Sequence, residues 1–475
     1  TGTKVCVLMF LKSNKLILFI LFASFFASCD SELEIDPKQN EDATVTLSTE
    51  SGITNILTGT YATAATGAGF GGRNIISAEL LGVSAQTATT ELRWRGSYGE
   101  FRQIYNKAML VNNTIIEGMY TRKYEMINAA NTVIENINKV ASPAKQKTMI
   151  AEANFLRSLA YFDLVQFFAQ PYVAGQPNTQ LGVVIRPNAI YDFNTDLSKE
   201  RSTVDEVYAV IIAGLNLAYT DLPADNGFYA SKYAAKALLA RVYLQQGNYK
   251  AARDAANDVI TNGGYSLSTS YAAAFNHAAM QNEDIFNIMI TKQTGTNDAN
   301  TFYAAEADGG RGGDLSIRNA YLDLFDDTND ARYNFNYVNP ANDRTLTLKY
   351  QNQYSVVGII RLAEMFLIRA ESNFRESTVL GDTPLNDINR LRTRATAQNL
   401  AVVNLSSILK ERRLELGMEG FLIHDIKRTK RSIDISSDGS GSVLLPYNDN
   451  KLVFPIPLRE MDTNKKITQN PGYGS

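Results

Sequence analysis

Apolar residues recur at every third or fourth position through residues 150–169, IAEANFLRSLAYFDLVQFFA, with Ile150, Ala153, Leu156, Ala160 and Leu164 in one stripe. That spacing predicts an amphipathic helix. Phe155, Leu159, Phe162 and residues 165–167 widen the stripe until the helix is apolar nearly all round, as suits a helix inside a helical stack. Pro143 fits a first helical turn and Ser142 an N-cap. Residues 124–140 precede it as an antiparallel partner. The same plan returns over residues 231–265, with Ser231 as N-cap and Gly263–Gly264 as the stop of the second helix. A third pair is expected over residues 359–397, its second helix opened by Pro384, and a further helix over 405–416.

Ala240, Gly247, Tyr249 and Ala252 stand where a tetratricopeptide repeat places small residues for close helix packing and an aromatic to fill the groove. The unit's length is comparable with the roughly 34-residue period of that repeat. Residues 63–100 and 291–318, rich in Gly, Thr, Asn and Ala, and residues 432–450, rich in Ser, Gly and Asp, break the periodicity. Long irregular segments on a rigid scaffold are the usual carriers of specificity. The expected fold class is therefore mainly α, a tetratricopeptide-like helical-repeat scaffold with long irregular ligand-binding loops. Helix pairs lie near 124–169, 203–262 and 359–416, and loop-rich regions at 63–118, 291–350 and 432–450.

The N-terminal pattern is different in kind. Lys12 and Lys15 precede an apolar run from Leu16 to Ala27, and Ala27–Ser28 stands just before Cys29. A positive n-region, a short h-region and a small-residue cleavage site make residues 1–28 a signal peptide, with Met9 a candidate start. The run is too short to span a bilayer, which takes about 20 apolar residues. A small residue followed by Cys resembles the lipobox of bacterial lipoproteins, although Phe26 stands where that motif usually has Leu. Cys29 is the expected lipidation site, with ordinary secretion as the alternative. Residues 29–45, which carry Asp30, Glu32, Glu34, Asp36, Glu41 and Asp42, form an acidic tether. Residues 46–475 make up the folded domain.

Composition narrows the chemistry. The chain of 475 residues is 45% hydrophobic with a net charge of −3, which supplies a core and gives no basic excess for nucleic acid. Cys6 and Cys29 are the only cysteines, so the mature chain can form no internal disulfide, cysteine-based zinc site or free-thiol nucleophile. The two histidines, His277 and His424, have no neighbouring His or Cys and are read as structural. No catalytic residue, cofactor or metal is expected. DLFDDTNDAR, residues 323–332, lacks the Gly and terminal Glu of an EF-hand loop and is read as a solvated turn with an Asp330–Arg332 interaction. KERRLEL, residues 410–416, reads as a helix face with Glu411 and Glu415 at i, i+4. GGRGG, residues 309–313, is no phosphate loop, since no Lys-Ser/Thr follows.

Trp94, the only tryptophan, sits in ELRWRGSY with Arg93, Arg95 and Tyr98. Sugars lay their C–H faces on aromatic rings while Arg, Asn and Asp bond their hydroxyls. Trp94 is thus either a stacking platform or the anchor of its own loop.

Together these segments resemble the SusD/RagB outer-membrane lipoproteins of Bacteroidetes. The resemblance is carried by LEIDP (33–37), ILTGTYA (56–62), YEMINAANTVIENI (124–137), AEANFLRSLAYFDLVQFF (151–168), STVDEVY (202–208) and ASKYAAKALLARVYLQQGNY (230–249). It continues through IIRLAEMFLIRAESNF (359–374), LNDINRLRTRA (385–395), ILKERRLELGMEG (408–420), HDIKR (424–428), FPIPLREMDTN (454–464) and QNPGY (469–473). Phe421 departs from it, standing where the family more often has Arg or His. The resemblance implies a cell-surface lipoprotein on the outer membrane that captures oligosaccharides and delivers them to a SusC-like TonB-dependent transporter, without catalysis. Alternatives are a RagB-like peptide-uptake lipoprotein and a helical-repeat scaffold for surface protein complexes. It also implies ligand contacts from the Trp94 region and from a second loop, residues 294–313. The candidates are Arg73, Arg93, Trp94, Tyr98, Asn300, Tyr303 and Arg311, with Phe302 beside them.

Overall fold

Backbone capping sets most helix boundaries in the computed structural model, which describes residues 46–293 and 297–474. The segments expected to be signal peptide and acidic tether, with Cys29, lie outside the described residues. In chain order the elements are α1 (Glu50–Ala64), α2 (Arg73–Gly82), β1 (Leu92–Trp94), α3 (Gly99–Asn106), α4 (Thr114–Glu135), α5 (Pro143–Phe168), α6 (Val204–Asp221), α7 (Lys232–Gln246) and α8 (Tyr249–Asn262). There follow β2 (Asp284–Met289), α9 (Asp298–Tyr303), β3 (Leu315–Ile317), α10 (Asn319–Leu322), β4 (Asn336–Asn339), β5 (Arg344–Thr347) and β6 (Val356–Arg361). The last elements are α11 (Leu362–Glu376), α12 (Pro384–Arg394), α13 (Leu405–Leu416), α14 (Leu422–Arg428), β7 (Ile433–Asp434), β8 (Leu444–Leu445) and α15 (Leu458–Thr463).

Helix α5 starts with Pro143 at N1 while the Ser142 hydroxyl accepts from the Lys145 amide. Its partner α4 begins earlier than the apolar pattern suggests, because Asn113 accepts from the amides of both Ile115 and Ile116. Ser231 caps α7, and Gly247 ends it in the left-handed region at φ 71°, so that Asn248 can cap α8 at once. Successive helices pack in series, α4 on α5, α5 on α6, α6 on α7, α7 on α8 and α8 on α11, with α12 and α13 against α11. The chain is mainly α and tetratricopeptide-like.

Two expectations need correction. Residues 359–361 are not helical: they end β6, which pairs antiparallel with β2 through Met289↔Val356 and Ile288↔Val357. The β-branched run favours a strand there, and the helix begins only at Leu362. The regions 63–118 and 291–350 are also not wholly irregular. They hold α2, α3, α9 and the strands of one antiparallel sheet ordered β1-β3-β5-β4. That sheet joins residues more than 200 positions apart, as in Trp94↔Leu315.

The charged segment of α13 points inward rather than to solvent. Glu411 and Glu415 are buried. Arg332 pairs with Asp330 at 2.6 Å and with Glu411 at 2.9 Å, so the Asp330–Arg332 pair exists but lies in the interior. Arg361 bonds Glu283 at 3.0 Å, Glu415 at 2.7 Å and Glu419 at 2.9 Å, and Arg394 bonds Glu283 at 2.9 Å and also Glu415. Phe421 fits this interior. Its ring receives the guanidinium groups of Arg241 and Arg412, each 5.0 Å from the centroid.

Candidate ligand-binding site

Strand β1 alternates, as a period-two element must. Leu92 and Trp94 face the interior while Arg93 and Arg95 face out. Pairing sets Arg93 opposite Ser316 of β3, and Arg95 donates through Nε to the Ser316 hydroxyl at 3.2 Å. Helix α3 follows directly, so Phe101 meets Trp94 with ring centroids 5.1 Å apart and Phe302 of α9 meets it at 5.6 Å. Trp94 is 3% exposed and its Nε1 has no acceptor. Gly96 is required close by, since a Cβ there would sit 2.6 Å from the indole.

Of the candidate ligand contacts, Trp94 and Tyr303 lie in the core, and Trp94 takes the anchoring alternative. Trp94 anchors its strand: the same apolar bulk that suits a sugar face also suits a core, and here the indole clusters with Phe101 and Phe302, which touch each other at 4.9 Å. Tyr303 is fully buried and stacks on Tyr350 at 5.3 Å. Asn300 is likewise buried and acts as a clamp, its Nδ2 donating to the Asp308 carbonyl at 3.0 Å and the Tyr350 carbonyl at 2.6 Å. Arg73 pairs with Asp298 at 2.8 Å across the Gly-rich run. There Gly72, at φ 127°, lets the backbone come so close that a Cβ would overlap the Ala299 amide.

Tyr98 and Arg311 remain open to solvent. Tyr98, 41% exposed, meets Phe302 edge-on at 5.4 Å, and the Arg311 guanidinium lies 5.2 Å over its ring. Arg311 is steadied by Asp314 at 2.9 Å and by the Ser97 hydroxyl at 3.0 Å, and the Asp314 hydrogen bond raises its pKa.

A cleft of about 470 Å³ is lined by Arg93, Trp94, Arg102, Tyr105, Asn106 and Arg318, and neither Tyr98 nor Arg311 lines it. Arg102 donates to the Gly96 carbonyl and Arg318 to the Ala88 carbonyl at 3.1 Å. Arg344 of β5 donates to the carbonyls of Gly312 and Gly313. Burial, and then the neighbouring charges of Arg93, Arg344 and Arg318, hold the Arg95 pKa below the ordinary guanidinium range. Burial raises the Tyr105 phenol, opposed by Arg93, Arg318 and Arg95. The sequence pattern marks Arg93 and Arg95 through the L-R-W-R alternation. It gives no signal for Arg102, Arg318 or Arg344, which the α3 turn and long-range strand pairing bring to the same place. Among the described residues no group of His, Cys, Asp and Glu is arranged to hold a metal ion.

The comparisons decide the family. A model described as "Starch-binding associating with outer membrane" matches residues 33–244, and one described as "SusD family" matches residues 291–473. The chain belongs to the SusD/RagB family. SusD-like protein P2 of Formosa agariphila is 24% identical, with 96% of this chain and 99% of that protein covered. A SusD-like protein of Bacteroides ovatus is 27% identical over 364 residues, and the chain covers only 64% of its length. A 124-residue stretch is 30% identical to the starch-binding protein SusD of Bacteroides thetaiotaomicron, covering 25% of this chain and 21% of that protein. Among solved structures, a SusD superfamily protein from Bacteroides thetaiotaomicron superposes with a TM-score of 0.77 at 25% identity, with 89% of this chain and all of that chain covered. A SusD-like carbohydrate binding protein from Bacteroides vulgatus shares the fold, with a TM-score of 0.73 at 19% identity, covering 88% of this chain and 97% of that one.

Proposed function

We propose that this SusD/RagB protein is a cell-surface lipoprotein that captures oligosaccharides and passes them to a SusC-like TonB-dependent transporter. The observation that carries the proposal is the cleft where the guanidinium groups of Arg93, Arg102 and Arg318 surround a recess on a rigid sheet and helix, with exposed Tyr98 on the turn between β1 and α3. Recesses of about 300–1,000 Å³ with few convergent polar groups are the usual form of a small-ligand site. The family models' descriptions and the starch-binding relative support a glycan as the ligand. No helix among the described residues is long and apolar enough to cross a membrane. Attachment is therefore assigned to Cys29, whose acyl groups would hold the chain at the outer membrane.

Binding without catalysis suits the site. Its charged groups are guanidiniums, which neither give up nor accept a proton near neutral pH, and neither histidine lines the cleft. A glycan array followed by calorimetry tests the proposal. We expect binding to at least one oligosaccharide class. Tyr98→Ala should weaken it by about fivefold, the equivalent of roughly 1 kcal/mol for one stacked ring. Binding of peptides and of no glycan would overturn the ligand class.

A further inference from the structure

Several interior arginines are matched to carboxylates, Arg361 to three of them, while buried Arg201 is enclosed by four backbone carbonyls. The five around the cleft, Arg93, Arg95, Arg102, Arg318 and Arg344, form no ion pair among the described residues. Their donors rest on neutral acceptors: the Ser316 hydroxyl for Arg95 and the carbonyls of Gly96, Ala88, Gly312 and Gly313 for Arg102, Arg318 and Arg344. Among the described residues the Arg93 guanidinium has neither a hydrogen-bond acceptor nor a carboxylate. Such contacts fix the orientation of a guanidinium without neutralising it.

Three of the others lie close enough to Arg95 to act on it. Arg93, Arg344 and Arg318 all depress the protonation of Arg95. Like charges gathered on a chain whose net charge is −3 are unfavourable in the empty protein. They become favourable when an anion enters. The guanidinium fork matches the oxygen spacing of carboxylate and sulfate groups, and such bonds are stronger than those to a neutral hydroxyl.

We infer that the cleft between β1, α3 and the start of α10 takes an oligosaccharide carrying anionic groups, carboxylates or sulfate esters, rather than a neutral glycan. This inference rests on the glycan reading above and narrows it. Arg93 and Arg318 bond the anionic substituents, and Arg102 closes the side toward α3. Arg95 and Arg344 strengthen the local field from behind.

Calorimetry on the full chain with three probes of matched length, oligogalacturonate, oligosaccharides of a sulfated galactan and maltohexaose, tests this directly. At least one anionic probe should bind about tenfold or more tightly than maltohexaose. Raising sodium chloride from about 50 to about 500 mM should erase most of that advantage. Arg93→Ala alters an exposed side chain with no partner, so the melting temperature should stay at the parental value. Its affinity for the anionic probe should fall about tenfold, and Arg318→Gln should behave alike. Comparison of the galacturonate and sulfate arms identifies the anion. Salt-independent binding in which maltohexaose equals or surpasses both anionic probes would overturn the inference and leave the glycan reading standing. Failure of all three probes and of the wider array, with peptide binding instead, would overturn both.

Discussion

Replacing Glu415 with alanine is expected to destabilise the protein by about 3–5 kcal/mol, the usual penalty for stripping one partner from a buried ionic network. Glu415 is fully buried and its carboxylate bonds Arg361 at 2.7 Å and Arg394, with Arg332 3.7 Å away. Removing it leaves three buried guanidiniums short of negative charge. Burial alone would push this carboxyl up, but Arg394, Arg361 and Arg332 together outweigh it and hold the group well below the usual range. The sign follows from linkage. A depressed carboxylate contributes its full stability above the unfolded value of about 4.3 and loses it as pH falls through the lower folded value. Denaturant unfolding of Glu415→Ala should therefore show its whole deficit at neutral pH, with the gap to the parent narrowing in strong acid. A deficit below about 1 kcal/mol at pH 7 would mean that Arg361 and Arg394 are satisfied without Glu415.

Trp94→Ala is expected to lower stability by about 3–5 kcal/mol as well, by opening a cavity in the core. The indole packs against the touching pair Phe101 and Phe302 and fixes β1, whose outer face carries Arg93 and Arg95. Oligosaccharide affinity should fall together with the melting temperature, because the arginines lose their register against Ser316. Trp94→Phe keeps most of the packing and should retain most of both. The opposite pattern, Trp94→Phe with parental stability and abolished binding, would show that the indole itself touches the ligand.

Local signals in the chain were sufficient for the helical scaffold. Ser142 with Pro143, Ser231 with Gly247, and Pro384 mark starts and stops through single-residue chemistry, and the apolar stripes between them need no distant partner. The site was legible only in part. Its platform is a sheet of three- and four-residue strands, too short for any period to emerge, and β1 finds its partner β3 over 200 positions away. Helix α2 escaped notice because the Gly-rich run before it suggested a loop, although Ile75, Ile76, Leu80 and Leu81 are all buried. Composition does not say which way KERRLEL of α13 faces. Glu411 and Glu415 are buried because guanidiniums arrive from β6 and α12, and Arg412 is buried against Asp425 of α14. Trp94 and Tyr303 show the same limit for aromatics, since a ring that could meet a sugar could equally fill a core.

The most direct measurement is a crystal structure of the protein with an oligosaccharide selected by the array. We expect sugar density in the cleft formed by β1, α3 and Arg318, with a substituent within hydrogen-bonding distance of Arg93 and Arg318 and a ring near Tyr98. Density on another face of the protein, with the cleft left empty at saturating ligand, would contradict the account.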